Sequence, residues 1–388
     1  MDLHRQSRCS ISIRREEKPS LPQVSRLTSY IFTAMTTIKS KEAVSPPTGV
    51  FVPVPTFFHP PSPGGDSLQA KLDTDTQVRH SIHLARNGVR GLVLLGSTGE
   101  AIHLSRSERS QLISAVRKGL DDDGFLAYPI MTGVLTYSVE EALEWLDDAA
   151  SAGSDWGLVL VPGYFGTAAN QDNIKEWYTV VADHSPLPIL VYASTLIKCY
   201  WTVANDLDNS YNYPGVTNQV MVEPQTYTHL AQHPNIVGCK MSHGNVSHHV
   251  QVSLDPEIDH SKFRVFSGFG QQLGPIVFFG AAGVIDGLAA MYPRTVSRLM
   301  DLAERRPIEP EVLAEIQTMQ FAVSCAEEYI GAWGIVGIKE GVYRVLGMGN
   351  QEGGRLPLKG KLSDEQWNIW SSTMSRMAAL EKSIPAPA

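Results

Sequence analysis

One lysine stands inside a short apolar run, Ile236-Val237-Gly238-Cys239-Lys240-Met241-Ser242. A charged amine on a buried strand is costly to desolvate, so such a lysine tends to be neutral. A neutral amine is the group that attacks a ketone to form a Schiff base. Lys240 is therefore a candidate nucleophile, and the alternative is a lysine whose ammonium group extends to water at the rim of the fold.

Two turns that follow other apolar runs present polar groups. Gly96-Ser97-Thr98-Gly99-Glu100 has two neighbouring hydroxyls and backbone N–H groups ahead of a predicted helix, an arrangement that can hold a carboxylate. Pro162-Gly163-Tyr164-Phe165 presents a phenol. The simpler interpretation of the first turn is ordinary capping by serine and threonine, because features of a fold do not by themselves establish a site.

The elements that must position these groups follow from an alternation of apolar runs with longer amphipathic segments, which is typical of parallel strands joined by helices. Ser105 and Glu108, for example, have the spacing of a helix capping box. We predict an α/β fold, a (β/α)8 TIM barrel over residues 49–305, with a helical extension over 306–388. Functional groups of such barrels lie at the carboxyl ends of the strands. The eight runs cover 49–58, 91–96, 128–134, 156–163, 188–192, 236–242, 263–270 and 283–289.

Several motifs occur together in the order and with the spacing of a known family. They are the turn 96–100, the lysine of the sixth run, Tyr211-Asn212-Tyr213-Pro214-Gly215, Ser267-Gly268 and Gly283-Val284-Ile285. As an ordered set they resemble the dihydrodipicolinate synthase / N-acetylneuraminate lyase family, from about residue 49 to the C-terminal helices. The resemblance implies class I aldolase chemistry on pyruvate, in which a protonated imine is the electron sink and no metal or other cofactor is expected.

The resemblance also implies catalytic roles for four residues. Lys240 would form the imine, and Tyr211 would be the general acid and base. Ser97 and Tyr164 would relay the proton to solvent. In many relatives the tyrosine that matches Tyr164 reaches in from a neighbouring subunit, so a homodimer or homotetramer is expected.

Substrate binding is implied for a partly overlapping set of residues. Ser97 and Thr98 would hold the pyruvate carboxylate, with help from the backbone of Ile285. Gly268 would border the same substrate. The expected partner is therefore a small 2-oxo acid.

Three other features suggest alternatives that we consider weaker. Lys339 stands in a sequence closer to the family's lysine neighbourhood, but it follows the eighth run in a helical segment. The segment 267–274 resembles a dinucleotide-binding loop with the wrong glycine spacing. His243, His248 and His249 suggest a metal site, yet a capping or solvent-facing role fits their spacing better, so no metal is expected.

The choice of reaction within the family depends on Val216, where dihydrodipicolinate synthases have an arginine that binds a second carboxylate. Valine cannot form that bidentate contact, so this condensation is disfavoured. The runs VPVPTFF, VLVPGYF, YNYPGV and KMSHGNVSHH resemble a fungal branch of the family. We expect cleavage of a 2-keto-3-deoxy sugar acid or of 4-hydroxy-2-oxoglutarate to pyruvate and an aldehyde. The alternatives are the condensation itself and an inactive barrel with a binding or regulatory role.

Composition and charge argue against other classes of protein. The 388 residues are 43% hydrophobic and 19% charged, which is unlike disordered chains and coiled coils. The net charge is -8 with no basic run, so nucleic acid is not an expected partner. Four cysteines without C-x-x-C spacing indicate a reducing compartment. The longest apolar stretch, 275–291, is too short and too broken to span a membrane.

The first 34 residues differ from the rest in net charge, which is +3 for residues 1–34 and -11 for residues 35–388. A mitochondrial transit peptide, a disordered leader and a translation start at Met35 are the three interpretations, and the three acidic residues weaken the first. We expect a cytoplasmic enzyme, or a mitochondrial one if residues 1–34 are a transit peptide.

The segment 192–210 departs from the family pattern, because relatives continue directly from PILV into Y-N-x-P-G. Its 19 residues correspond to 57 nucleotides, a length typical of a short fungal intron, and its possible codons allow donor, branch and acceptor signals. A translated intron is one interpretation, and an inserted surface loop is the other. With the segment present, Tyr192 competes with Tyr211 for the acid–base position.

Overall fold

The computed structural model of the protein describes residues 43–60, 68–194, 217–351 and 354–387. In it, the eight apolar runs form eight parallel strands that close into a barrel, since each strand pairs with the next and the last pairs with the first. The predicted TIM-barrel fold is confirmed. The strands are β1 (Gly49–Pro53), β2 (Gly91–Leu94), β3 (Ile130–Val134), β4 (Trp156–Leu160), β5 (Ile189–Ser194), β6 (Ile236–Ser242), β7 (Arg264–Ser267) and β8 (Gly283–Ile285).

The strands are apolar along their whole length because both of their faces are buried. Side chains that alternate along each strand fill either the barrel interior or the layer between the barrel and its helices. The interior cluster includes Phe51, Val93, Met131, Tyr192 and Phe266. The outer cluster includes the neighbouring residues Val52, Leu92, Val191 and Val265.

Helices follow the strands and cover the outside of the barrel. Ser105 and Glu108 form the predicted capping box, in which each side chain bonds to the backbone N–H of the other residue. Ser138 likewise caps its helix by accepting from the Glu141 N–H. The barrel helices are α1 (Thr74–Arg86), α2 (Arg106–Asp122), α3 (Val139–Ala152), α4 (Gln171–His184), α5 (Pro224–Leu230), α6 (Val246–Ser253), α7 (Leu273–Phe278) and α8 (Pro293–Ala303).

The predicted C-terminal extension is helical, with α9 (Pro310–Leu346), α10 (Asp364–Asn368) and α11 (Ser371–Ser383). Helix α9 packs against α8 and the turn that follows β7. It is broken at Gly334, where φ is +52° and ψ is -137°, a conformation that only glycine adopts readily. The Tyr329 hydroxyl donates to the carbonyl of Gly337 at 2.8 Å and bridges this break.

The residues that precede β1 lie against the amino ends of the strands. Ala43 packs on the interior cluster, and the indole N–H of Trp156 donates to the carbonyl of Val44 at 2.7 Å. The Ser45 hydroxyl donates to the carbonyl of Lys262. This lead-in therefore belongs to the barrel, whereas the predicted leader, residues 1–34, lies outside the described residues. No helix in the described part of the chain combines the length and apolar character that a membrane span requires.

Candidate active site

Lys240 lies on β6 with its amine directed at an aromatic ring of the neighbouring strand. Its Nζ is 4.5 Å from the ring centroid of Tyr192, and the residue is 7% exposed. The two residues face each other in the register of β5 with β6. Because both stand on strands of a closed barrel, backbone hydrogen bonds fix their separation. The expectation that Lys240 stays within a buried strand holds, and a lysine that extends to the rim does not fit this burial.

The Tyr192 hydroxyl is surrounded by serines. It lies 3.3 Å from Ser97 Oγ, and the side chains of Ser194 and Ser242 are near enough to favour its ionised form. Burial alone raises the pKa of this phenol, but the Lys240 charge and the three serine hydroxyls together outweigh burial, so the pKa is below its ordinary value of 10. The arrangement suits a phenol that exchanges a proton with a group bound at Lys240.

Two of these serines were not among the residues proposed from the sequence. Strand periodicity could have identified Ser242, since it is two residues after Lys240 and thus on the same face of β6. The same rule places Ser194 on the face of Tyr192. Strand periodicity places each serine on a face of its own strand, but only the register of β5 with β6 shows that both serines lie near the Tyr192 hydroxyl.

The turn after β2 lies beside Tyr192, and it includes both of the proposed carboxylate ligands. Ser97 and Thr98 are half-buried. Leu95 and Glu100, which flank them, have φ values of +57° and +52°. Non-glycine residues adopt this left-handed conformation only where the surroundings impose it. The turn is therefore a strained segment held in place by its neighbours.

Gly268 and Ile285, the other proposed substrate ligands, lie at the ends of β7 and β8. The Gly268 N–H donates to the carbonyl of Met241 at 3.0 Å, and a methyl group at this position would lie 1.9 Å from Ser242 Oγ. Only glycine therefore fits beside the end of β6. Ile285 belongs to the interior cluster and pairs with Phe51 of β1.

Tyr164 is not buried with the other candidates. It is 72% exposed, and Phe165 beside it is 78% exposed. Tyr137 lies 6.3 Å from Tyr164 between ring centroids, so three aromatic rings form one exposed group. Tyr211 and Val216, on which two further predictions depend, lie outside the described residues.

The histidines after β6 differ from expectation. His243 and His249 are buried, so a solvent-facing role is wrong for these two residues. Burial and the neighbouring histidines lower the pKa of both to about 4, and they are neutral near pH 7. Asn245 supplies the helix cap, since its side chain accepts from the His248 N–H. Across the described ranges, no three histidine, cysteine or acidic side chains are grouped to hold a metal ion.

Comparison with known proteins identifies the same relatives that the motifs indicated. The profile of the dihydrodipicolinate synthetase family matches residues 67–203 and 194–372. The match is thus divided within the segment that departs from the family pattern.

Three relatives illustrate the similarity. The chain is 31% identical over 303 residues to a protein of Emericella nidulans named "Probable 4-hydroxy-2-oxoglutarate aldolase, mitochondrial", covering 78% of this chain and 87% of that protein. It is 30% identical over 318 residues to the L-threo-3-deoxy-hexylosonate aldolase of Hypocrea jecorina, covering 81% and 90%. A solved dihydrodipicolinate synthase family protein from Coccidioides immitis superposes with a TM-score of 0.70 at 28% identity, covering 88% and 99%.

Both fungal relatives named by activity are aldolases, which is the enzyme class expected from the motifs. The family match extends over most of the chain, and the barrel has the strand order expected of it. The chain belongs to the dihydrodipicolinate synthetase family.

Proposed function

We propose that the protein is a class I aldolase that cleaves a 4-hydroxy-2-oxo acid to pyruvate and an aldehyde, with Lys240 as the Schiff-base residue. The observation that supports this most strongly is the position of the buried Lys240 amine over the ring of Tyr192, whose hydroxyl lies 3.3 Å from Ser97 Oγ. A nucleophilic amine and a proton-transfer group are the two parts that imine-based aldol cleavage needs.

The reaction begins when the Lys240 amine adds to the ketone of the substrate and water leaves, which gives a protonated imine. The C3–C4 bond then breaks, and its electron pair moves into the imine to form an enamine. Tyr192 removes the proton of the C4 hydroxyl as the aldehyde carbonyl forms. The enamine takes up a proton at C3, and water releases pyruvate and restores the amine.

Tyr192 has this role in the chain of 388 residues because it occupies the strand position opposite Lys240. In a chain that lacks residues 192–210, Tyr211 would directly follow Val191 and take the same position. The divided family match supports an insertion at this point. Ser97 would pass the proton between Tyr192 and Tyr164, and the latter would act from a neighbouring subunit.

The turn 96–99 would hold the substrate carboxylate through the hydroxyls of Ser97 and Thr98, with the backbone of Ile285 and Gly268 on the opposite side. Backbone N–H groups at such a turn favour an anion. The fungal relatives act, by their names, on 4-hydroxy-2-oxoglutarate and on a 3-deoxy-hexylosonate. Both types of compound place a hydroxyl on C4, so both belong in the substrate panel.

A neighbouring subunit is supported by the exposed rings of Tyr137, Tyr164 and Phe165, because a contiguous apolar group on a surface often marks a protein contact. We propose a homodimer or homotetramer that buries them. The names of two fungal relatives include the mitochondrion, which supports the transit-peptide interpretation of residues 1–34 over a cytoplasmic location.

The decisive experiment is reductive trapping. Folded protein is incubated with pyruvate and borohydride, and the modified peptide is located by mass spectrometry. We expect one adduct on Lys240, none on Lys339, whose side chain is 14% exposed, and none on a Lys240→Arg variant. An unmodified Lys240 in folded protein would refute the proposal and leave the inactive barrel as the better interpretation.

The reaction is then assigned by pyruvate release over a panel of 2-keto-3-deoxy acids and 4-hydroxy-2-oxoglutarate. We expect release from at least one of them that disappears in the Lys240→Arg variant. Trapping without cleavage of any panel member would instead favour the condensation reaction.

A further inference from the structure

An ion pair connects the C-terminal extension to the turn that follows β2. Lys339 lies on α9 beyond the break at Gly334, and its Nζ contacts Oε1 of Glu100. The Glu100 side chain is fully buried, and that of Lys339 is 14% exposed. The sequence distinguished Lys339 only as an alternative Schiff-base lysine, set aside because it follows the eighth strand in a helical segment. Its position on α9 instead brings it into contact with the turn that holds Ser97 and Thr98.

The surroundings of this ion pair hold both of its side chains in place through further contacts. The other Glu100 oxygen lies 3.1 Å from Nδ1 of His103, and the Lys339 amine lies 4.7 Å from the ring centroid of Phe58. The guanidinium carbon of Arg355 lies 4.6 Å from the centroid of the same ring. Burial lowers the pKa of Lys339, and the Glu100 carboxylate opposes that effect. Removing one partner of a buried pair leaves a charge without compensation, which is much less favourable than removing both.

Glu100 is also one of the two residues that hold the turn in its strained shape. Its left-handed backbone conformation is unfavourable for glutamate unless its side chain is anchored. The Thr56 hydroxyl holds the adjacent carbonyl of Gly99 at 2.6 Å, and the Glu100 N–H bonds to the carbonyl of Ser97 at 3.1 Å. A shift of Glu100 would therefore move Ser97, whose hydroxyl contacts the Tyr192 phenol.

We propose that Lys339 is a positioning residue that acts through Glu100 to hold the Ser97–Thr98 turn in the shape that binds the carboxylate of the 2-oxo acid. This inference rests on the proposed function. It also gives the C-terminal extension a part in substrate binding, because the lysine comes from outside the eight βα units. Lys339 itself does not contact substrate.

The test compares Lys339→Met with a matched variant of the same helix, Arg344→Met. Arg344 also pairs with a buried carboxylate, that of Glu340, but this pair does not contact the turn. The readout is the pyruvate concentration that gives half-maximal borohydride trapping on Lys240, together with KM and kcat of cleavage. We expect Lys339→Met to raise the half-saturating pyruvate concentration and KM at least about tenfold with a smaller change in kcat. Arg344→Met should lower the melting temperature and leave both concentrations within about twofold of wild type.

Two further variants test the route through Glu100 and cover the case in which Lys339→Met does not fold. Glu100→Gln keeps the size of the side chain and should raise the half-saturating concentration, and combining it with Lys339→Met should add little, because both changes break one contact. Lys339→Arg preserves the positive charge, so its half-saturating pyruvate concentration should be much closer to the wild-type value than that of Lys339→Met. Unchanged half-saturation in folded Lys339→Met or in Glu100→Gln would overturn the inference, as would additive effects in the double variant. Failure of wild-type protein to trap pyruvate would instead refute the proposed function.

Discussion

Tyr192 and Lys240 are opposite each other across the β5–β6 pair, and the lysine Nζ lies 4.5 Å from the centre of the tyrosine ring. In its protonated form the amine is attracted to this aromatic face and stabilises a phenolate, and in its neutral form it can attack a ketone. The same contact therefore orients the amine and makes the phenol a stronger acid. Since both residues are on barrel strands, this pair does not depend on the geometry of a loop.

The first prediction separates the two candidate tyrosines in the chain of 388 residues. Tyr192→Phe should lower kcat for pyruvate release by about 10²- to 10⁴-fold, the usual contribution of a general acid–base group. Tyr211→Phe, the matched control, should change kcat by less than about threefold. Melting temperatures of both variants show whether they are folded. The reverse order of the two effects would assign the acid–base role to Tyr211.

The second prediction concerns a chain without residues 192–210. The flanks of the undescribed stretch meet, since the Thr217 hydroxyl donates to the carbonyl of Ser194, so the barrel does not require a long connection here. The shortened protein should be more active, and it should melt about 1–2 °C higher if about 1 kcal/mol of chain entropy is recovered. In it, Tyr211→Phe should become the severe substitution. Equal activity and melting temperature in both forms would contradict the prediction, and sequencing of the mature transcript shows which form the cell makes.

A third prediction concerns the buried acid pair Glu327 and Asp286, which connects α9 to the end of β8. The Asp286 carboxylate accepts N–H bonds from Leu288 and Ala289, so the shared proton belongs on Glu327. Burial, followed by the charge of Asp286 and the hydrogen bond with it, raises the pKa of Glu327 well above 4.5. The folded protein thus holds a proton that the unfolded chain releases near pH 4.5.

The stability that Glu327 contributes is accordingly complete below pH 4.5 and is lost as the pH rises toward the folded-state pKa. Glu327→Gln cannot lose a proton, so its free energy of unfolding should gain on that of wild type by about 1.4 kcal/mol per pH unit within this window. Chemical denaturation between pH 4.5 and 8 measures the difference. The exposed neighbour Glu328, changed to Gln, should follow wild type. A constant difference between Glu327→Gln and wild type would show that the pair does not hold a proton.

The fourth prediction concerns the exposed aromatic group on the loop after β4. Replacing both Tyr164 and Phe165 by alanine should convert the proposed oligomer to monomers in analytical ultracentrifugation. Tyr164→Phe preserves the ring and should leave the assembly intact, yet it should lower kcat about tenfold or more because the hydroxyl of the proton relay is lost. A monomeric wild-type protein would remove the basis for both expectations.

Sequence alone was sufficient to predict the barrel, because each strand is buried on both faces and therefore appears as a short apolar run. Lys240 was recognisable for the same reason, since it interrupts such a run. The serines around Tyr192 could not be assigned in advance, because their relation to the phenol depends on how β5 pairs with β6 and where the turn after β2 lies. The burial of His243 was missed because packing between a loop and α6 is not visible in local spacing.

The contact between Glu100 and Lys339 is the clearest example of what the sequence could not indicate. Its two residues are far apart along the chain, and neither occurs in a pattern that predicts the other. Only the packing of α9 on the barrel brings them together. The sequence did, in contrast, indicate that Tyr192 and Tyr211 are alternative candidates for the acid–base position. The register of β5 with β6 is what favours Tyr192 in the chain of 388 residues.

The break at Gly334 determines where the second part of α9 is aimed. An alanine there would favour an uninterrupted helix, and a straight continuation would direct Lys339 along a different line, away from Glu100. One backbone torsion some distance from the barrel thus controls whether the C-terminal extension, about the last fifth of the protein, assists substrate capture. Gly334→Ala is therefore a candidate for a mutation that damages the enzyme's affinity without altering any residue of its active site.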